Sequence, residues 1–119
     1  MHELSICQAL VTQVQALAQR ENMQRVERVL VGVGPLSGVE PQLLQQAYPL
    51  AAAGTLAEDS ELVIEDRPVR VHCGQCDRDS DASAGRLLCA YCGNWRTTLL
   101  SGDELMLMQV EFIRENDYV

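Results

Sequence analysis

The sequence predicts an α+β protein in which two helices pack on one face of a mainly antiparallel sheet of three to four strands, interrupted by a small module with four cysteines. Two segments carry apolar residues at helical spacing, three segments are rich in alternating or β-branched residues, and the cysteines form two Cys-x2-Cys pairs. With 119 residues, 47% of them hydrophobic, the chain is long enough for one modest core.

Both helices are predicted from the spacing of apolar residues and from their ends. The first is expected to run from about Glu3 to Arg20, because its apolar residues share one face. These are Leu4, Cys7, Leu10, Val11, Val14, Leu17 and Ala18. The second is expected to begin at Glu40 and Pro41, since proline is tolerated in a first turn, and to stop at Gly54. Pro49 lacks a backbone donor, so we expect a kink or an early end there.

Three segments have the pattern of strands. RVERVLVGVG places Val29, Val31 and Val33 on one face of a well-covered strand. ELVIEDRPVRVHC is expected to form one strand, or two strands broken near Pro68, and DELMLMQVEF is a closing strand after the cysteine module. The expected order is therefore helix, strand, helix, strand, cysteine module, strand.

The strongest chemical signal is CGQCDRDSDASAGRLLCAYC, which contains Cys73, Cys76, Cys89 and Cys92. Two residues between cysteines let both sulfurs turn inward, and two such knuckles present four thiolates to Zn²⁺ in a tetrahedron. Two disulfides or four unrelated buried thiols are the alternative. Because four thiolates leave no open position for water, the site is expected to be structural, in a module of the zinc-ribbon kind.

The residues around the cysteines have expected roles of their own. Gly74 and Gly93 are expected to supply the backbone freedom that the knuckles need. His72 is a candidate substitute ligand if a thiol is lost, although a histidine there is more often a neighbour. Cys7 lies on the apolar face of the first helix and is expected to behave as a small core residue.

The charge of the chain argues against several classes of partner. The net charge is −8, and all nine basic residues are arginines. Such a surface repels phosphate and anionic lipid, so we expect no nucleic-acid and no membrane partner. Five arginines against three aspartates leave segment 67–96 at +2, and a Zn²⁺ ion with four thiolates would make it neutral.

The compartment is expected to be the cytoplasm. The start lacks the charged and apolar regions of a signal peptide, and no run approaches the roughly 18 apolar residues that span a bilayer. Cytosolic thiols stay reduced, so paired cysteines there more often hold metal than form disulfides.

The first three residues offer a second set of metal ligands. Met1 is expected to persist because His2 is too large for the methionine to be trimmed. The Met1 amine, the His2 backbone nitrogen and the His2 imidazole can then close adjacent chelate rings, and Glu3 can complete a square plane of the kind that Ni²⁺ or Cu²⁺ favours. The alternative is an idle His2 and a Glu3 that only complements the helix dipole.

Several stretches occur in a fixed order over nearly the whole chain: MHELS, VGPLSGVEPQLL, GTLAEDSELVIE, the two knuckles and SGDELMLMQVEF. Together they resemble the HypA/HybF family of hydrogenase-maturation nickel chaperones. The chain departs from the family pattern at Pro49, in the tail IRENDYV and in the second knuckle, CAYCG, which lacks the proline common after the third cysteine.

The resemblance implies a nickel-binding α+β domain interrupted by a zinc domain, with the final strand returning to the first sheet. Carried over by position, Met1, His2 and Glu3 bind Ni(II) as transient cargo, and the four knuckle cysteines bind structural Zn(II). The expected boundaries are 1–68 with 99–119 for the nickel-binding domain, and 69–98 for the zinc-binding domain.

The resemblance also implies a function and partners. The chain would be a nickel metallochaperone and not an enzyme, delivering Ni(II) for the maturation of [NiFe] hydrogenase. Its partners would be the nickel-insertion GTPase and the hydrogenase large-subunit precursor, with urease maturation proteins added because some members serve urease. The chain would be a monomer or a homodimer.

Two other functions share some of these features. A zinc-ribbon adaptor that binds nucleic acid or transcription machinery needs a basic, aromatic face, for which the module offers Tyr91 and Trp95. A zinc hydrolase needs an open coordination position, which four thiolates do not leave.

Overall fold

The computed structural model describes residues 2–113, so Met1 and residues 114–119, nearly all of the predicted tail extension, lie outside the described part. The predicted α+β class is confirmed. The elements in chain order are α1 (His2–Arg20), β1 (Val26–Val33), α2 (Pro41–Ala52), β2 (Glu61–Asp66), β3 (Arg70–Cys73), β4 (Arg78–Asp81), β5 (Thr97–Ser101) and β6 (Leu105–Phe112). Neither helix has the length and apolar character needed to cross a membrane.

The chain divides into two compact units. The described residues of the first, here called the helical unit, are 2–31, 40–64 and 107–113. The second, here called the cysteine unit, consists of Gly32–Val39 and Glu65–Met106. The helical unit is therefore assembled from three separate stretches of the chain.

Strands β1, β2 and β6 form a three-stranded sheet in the order β2-β1-β6. The last strand thus returns to the first, as the resemblance implied. The amide of Ile113 donates to Arg25 O, and the amide of Gly34 donates to Glu104 O, which makes the β1–β6 pair antiparallel. Across the sheet, Arg28 on the central strand forms ion pairs with Glu61 at 2.9 Å and Glu111 at 2.8 Å.

The core of the helical unit is aliphatic. Helices α1 and α2 pack against each other. The buried residues of this unit are Cys7, Leu10, Val11, Val14, Ala18, Val26, Val29, Val31, Leu44, Tyr48, Ala52, Ala57 and Leu62. Cys7 behaves as the predicted core residue: its thiol donates to Leu44 O at 3.4 Å, and burial, with the charge of Glu3, raises the pKa of that thiol to about 11.

Two predictions about proline can be compared with the structure. The break near Pro68 is confirmed, since β2 and β3 are separate strands in different sheets. The early end at Pro49 is wrong, because α2 continues to Ala52. Pro49 lies in the last turn, where its carbonyl accepts the amide of Ala53 and its missing donor costs only one helical bond.

The cysteine unit contains an antiparallel sheet in the order β4-β3-β5. Its buried apolar residues are few and include Val69 and Val71. Strands β4 and β5 were not predicted from the sequence: RDSD has no apolar face, and TTLLS is a short stretch between the second knuckle and the predicted closing strand. Their pairing with β3 depends on contacts distant in sequence.

The loop GPLSG, which follows β1, begins with a glycine because the backbone of another segment lies very close to it. A Cβ atom at Gly34 would lie 2.1 Å from the carbonyl oxygen of Gly102, so a larger residue there would force the backbone apart. The amides of Gly34 and Leu36 donate to Glu104 O and Gly102 O at 2.8 and 2.7 Å. These bonds hold the loop against the segment that leads into β6.

Candidate metal centres

The four knuckle cysteines are brought together in the cysteine unit. Their four sulfur atoms all lie within 4.8 Å of one another. The sulfurs of Cys73 and Cys92 are 3.6 Å apart, and those of Cys76 and Cys89 are 3.5 Å apart. Each short pair therefore joins one knuckle to the other.

These distances fit a tetrahedral thiolate site. Four sulfurs about 2.3 Å from a central metal ion lie about 3.8 Å from one another, so the observed separations need only small adjustments. All four positions are thiols, which leaves no coordination site for a water nucleophile. The arrangement can hold a metal ion and connect two loops, but it lacks the open position of a hydrolytic centre.

The two knuckles share a backbone design. In each, the carbonyl of the first cysteine accepts the amide four residues later: Asp77 N to Cys73 O and Gly93 N to Cys89 O, both at 2.9 Å. The residue that donates has a positive φ in both knuckles, 56° at Asp77 and 75° at Gly93.

The predicted role of Gly93 is thus confirmed and that of Gly74 is wrong. Gly74 has no positive φ and open space around its Cα. Aspartate tolerates the left-handed region better than most residues, and this explains how the first knuckle turns at Asp77 without a glycine.

Backbone amides favour the thiolate form of the first cysteine in each knuckle. They lower the pKa of Cys73 through the Cys76 and Gln75 amides, against partial desolvation. At Cys89, the amides of Cys92 and Tyr91 lower the pKa to about 6. Because metal ions bind thiolates, these amides favour coordination by Cys73 and Cys89. At Cys76, by contrast, the hydrogen bond with Cys89 and burial raise the pKa to about 12.

His72 faces carboxylates in this structure. Its Nδ1 lies 2.7 Å from Asp79 Oδ1, and its Nε2 lies 3.2 Å from Asp77 Oδ1. The hydrogen bond that the His72 ring donates to Asp79 raises the pKa of His72, against partial desolvation. With both ring nitrogens engaged, His72 acts as a link between β4 and the first knuckle, and the substitute-ligand role receives no support from this geometry. The β3–β4 register that pairs His72 with Asp79 was not apparent from sequence.

The second candidate centre lies at the start of α1. His2 is 62% exposed, whereas Glu3 is 18% exposed, and His2 Nδ1 lies 3.6 Å from Glu3 Oε2. The same carboxylate oxygen accepts the backbone amide of Glu40 at 3.5 Å, just before α2. The structure therefore brings His2 and Glu3 together, while Met1 lies outside the described residues.

The ionisation of Glu3 suits a cation. Partial desolvation opposes ionisation, but hydrogen bonds from the backbone amides of Glu3 and Glu40 and from His2 outweigh it and lower the pKa of Glu3. Glu3 is therefore a carboxylate at neutral pH. The contact with the Glu40 amide could not be predicted, because nothing in the local sequence pattern places the two helix starts together.

An α+β scaffold with a closed four-thiolate site defines a metal-binding protein. The family model for hydrogenase/urease nickel incorporation, metallochaperone, HypA, matches residues 1–112. The chain belongs to this family of nickel metallochaperones for hydrogenase maturation, and it is not an enzyme.

Relatives and solved structures agree with this assignment. The chain is 49% identical to the hydrogenase maturation factor HypA of Nitrosospira multiformis over 95% of this chain and 98% of that one. It is 38% identical to HypA of Aquifex aeolicus over 93% and 96%. A fold likeness extends to the solution structure of the Ni metallochaperone HypA from Helicobacter pylori, with a TM-score of 0.69, 24% identity and coverage of 95% and 98%.

Proposed function

We propose that the chain carries Ni(II) at its amino terminus, on Met1, His2 and Glu3, and delivers it for [NiFe] hydrogenase maturation. The observation that carries this proposal is the exposed His2 imidazole beside the ionised Glu3 carboxylate at the first turn of α1. Nickel is transient cargo, so a site open to solvent and to a partner suits its role.

The position of these residues in a helix supports nitrogen ligation. Helix α1 begins at His2, and the first four amides of a helix have no carbonyl acceptor within it. The backbone nitrogen of His2 can therefore lose its proton and bind metal without breaking a helical hydrogen bond. Amides deeper in the helix do not have this freedom.

The electrostatics favour loose binding. The N-terminus of a helix carries a partial positive charge that disfavours a cation, and the Glu3 carboxylate offsets it. The carboxylate is itself shared with the amide of Glu40. A site that is balanced in this way can release its metal through stepwise ligand exchange when a partner supplies stronger ligands.

The four clustered cysteines are proposed to hold Zn(II). A tetrahedral set of four thiolates suits zinc, whereas the nitrogen and oxygen ligands at the amino terminus suit Ni²⁺. The two sites thus differ in donor chemistry, which would keep the cargo apart from the resident ion. Bound zinc would supply structural cross-linking and no hydrolytic step.

The proposal includes the delivery partners, the compartment and the domain boundaries. The delivery partners are the nickel-insertion GTPase, the hydrogenase large-subunit precursor and, where urease is served, urease maturation proteins. The work takes place in the cytoplasm, by a monomer or a homodimer. The nickel-binding domain is proposed to comprise 1–68 and 99–119, and the zinc-binding domain 69–98.

A calorimetric Ni²⁺ titration of zinc-loaded protein tests the site. The chain that starts at Met1 is expected to bind one nickel ion, whereas a chain with one extra residue before Met1 is expected to lose tight binding because the amine is displaced. Affinity should also fall as the pH is lowered, since a protonated imidazole or amine cannot bind metal. Equal binding by both chains would place nickel elsewhere.

The two histidines of the sequence provide a matched pair of variants. His2→Ala is expected to abolish tight stoichiometric nickel binding and to leave zinc content and folding unchanged. His72→Ala removes the same side chain from the cysteine unit and is expected to retain one nickel. Retained nickel affinity in His2→Ala would refute the proposed ligand set.

A further inference from the structure

Two large aromatic side chains lie exposed beside the second knuckle. Tyr91 is 62% exposed and Trp95 is 71% exposed. The other described aromatic residues are more covered: Tyr48 is buried and Phe112 is half-buried. Exposed tryptophan and tyrosine are uncommon on a surface with no partner, and they are enriched at the energetic centres of protein interfaces.

An arginine covers each of these rings. The guanidinium carbon of Arg78 lies 4.8 Å from the centre of the Tyr91 ring, and that of Arg96 lies 5.2 Å from the centre of the Trp95 ring. A guanidinium over an aromatic ring is restrained in position, yet its N–H donors remain able to bind an oxygen acceptor in its own plane. These four side chains, Arg78, Tyr91, Trp95 and Arg96, are called here the arginine–aromatic surface.

In the cysteine unit, three aspartates are paired with residues other than Arg78 and Arg96. Asp77 and Asp79 are engaged by His72, and Asp81 forms a 2.6 Å ion pair with Arg70. Within residues 2–113, no carboxylate lies within ion-pair distance of Arg78 or Arg96. A chain of net charge −8 therefore presents a local cationic surface whose nearest aspartates are already paired.

A surface cleft adds room for a side chain. It has a volume of about 410 Å³ and is lined by Gly74, Gln75 and Arg96. The side-chain amide of Asn94 donates from Nδ2 to Gln75 Oε1 at 2.7 Å, so the tips of the two knuckles are linked at this cleft. The surface thus combines fixed cations, flat apolar area and a recess.

We propose that the arginine–aromatic surface docks a segment of a partner protein that carries carboxylates beside apolar side chains. Charge complementarity selects carboxylates, and the rings of Tyr91 and Trp95 select apolar neighbours. Nucleic acid is the poorer occupant, since a long polyphosphate would extend beyond the local arginines and be repelled by a chain of net charge −8, whereas a short segment with a few carboxylates meets only those arginines. The surface consists of residues of the cysteine unit, none of which is a proposed nickel ligand, so the proposal does not depend on nickel binding.

Trp95 is the sole tryptophan of the chain, so its fluorescence reports on this surface directly. Zinc-loaded full-length protein is titrated with a short synthetic peptide that mixes glutamate with leucine and contains no tryptophan. A peptide with lysine in place of glutamate and single-stranded oligo(dT) serve as the other probes. A saturable change with the glutamate peptide, and none with the lysine peptide, is expected.

The three probes distinguish an acidic peptide from the other possible ligands of this surface. Absence of a saturable change with the glutamate peptide, or an equal change with the lysine peptide, overturns the proposal. Tighter binding of oligo(dT) than of the glutamate peptide overturns it in favour of a nucleic-acid surface. Amide NMR shifts in the unaltered protein are expected to cluster at residues 74–78 and 91–96, and shifts confined to other residues would also refute it.

A charge-matched pair of variants tests the arginines. The double variant Arg78→Gln with Arg96→Gln is expected to weaken binding of the glutamate peptide about tenfold, because two exposed ion pairs are lost. The control double variant Arg20→Gln with Arg25→Gln removes two exposed arginines of the helical unit and is expected to bind as the unaltered chain does. Zinc content and thermal unfolding verify that each variant is folded. Unchanged affinity in a folded double variant contradicts the proposal.

Discussion

The helical unit and the cysteine unit are stabilised by different chemistry. The first buries valine, leucine and alanine from two helices and a sheet, with Cys7 as one more apolar side chain. The second buries few apolar residues, among them Val69 and Val71, and gathers four sulfurs within 4.8 Å. Cysteine is thus a core residue in one unit and a candidate metal ligand in the other, and its surroundings determine which.

The two units should therefore lose stability in response to different changes. An aliphatic core loses stability in proportion to the side chain removed, because many contacts share the burial. A small unit organised around one metal ion depends on that ion as a whole. The two units should therefore respond differently to metal removal and to side-chain truncation.

Removal of a metal ion from the four cysteines should produce the largest difference between the two units. Structural zinc in small domains contributes about 10–16 kcal/mol of apparent binding free energy, so a chelator should abolish amide protection in β3, β4 and β5. Helical circular dichroism from α1 and α2 should persist. Hydrogen exchange followed by NMR measures both, and Cys92→Ser should reproduce the loss, whereas Cys7→Ala should not. Protected β3–β5 amides in metal-free protein would show that side-chain packing suffices there.

Truncation of a buried leucine should affect the helical unit. Leu44 is fully buried, and Leu44→Ala is expected to lower the free energy of unfolding by about 2–5 kcal/mol through lost burial and a cavity. Leu43 is its neighbour on the same helix but is 48% exposed, so Leu43→Ala should change stability by no more than about 0.5 kcal/mol. Urea denaturation of both variants provides the measurement. Equal losses would contradict the assigned core.

The two knuckle glycines should differ when changed to alanine. Gly93 has φ of 75°, and alanine in this left-handed region costs about 1–2 kcal/mol. Gly74 has no such conformation and open space for a methyl group, so Gly74→Ala should be nearly neutral. The measurement is the rate at which a chelator removes zinc from each variant. Gly93→Ala is expected to lose zinc faster than the unaltered chain, and Gly74→Ala is not. Similar zinc loss from both variants would argue against the observed turn geometry.

The pH dependence of stability should reveal the thiol of Cys7. Its pKa in the folded protein is raised to about 11 by burial, so its contribution is fully present below about pH 9 and is lost as the pH rises toward 11. At pH 10 the expected loss is about 1 kcal/mol relative to neutral pH. Denaturation of the unaltered chain and Cys7→Ala at both pH values measures it. Identical pH profiles would mean that the thiol does not titrate differently on folding.

Much of the fold could be predicted from sequence because its determinants are local. Helix α1 was expected from about Glu3 and begins at His2, and α2 begins at the expected Pro41. The valine pattern of β1 and the break near Pro68 were also evident. The candidate sulfur site followed from cysteine spacing, since two intervening residues constrain each pair by themselves.

Other features depended on residues that are close only after folding. Pairing of β3 with β4 and β5 places Asp79 against His72, and the turn at Asp77 replaced the one expected at Gly74. The amide of Glu40 reaches Glu3 across 37 positions of sequence. Local periodicity carries no information about such partners.

The α+β class, the two helices and the grouping of four cysteines into two knuckles followed from the sequence alone, because periodicity and short spacing act within one or two turns of chain. The tertiary structure was needed to show that the Cys7 thiol donates to Leu44 O, that His72 binds two aspartates, and that Arg78 and Arg96 cover exposed rings. Burial, ionisation and cation–π contact are set by distances between side chains, and those distances exist only once distant segments have packed together.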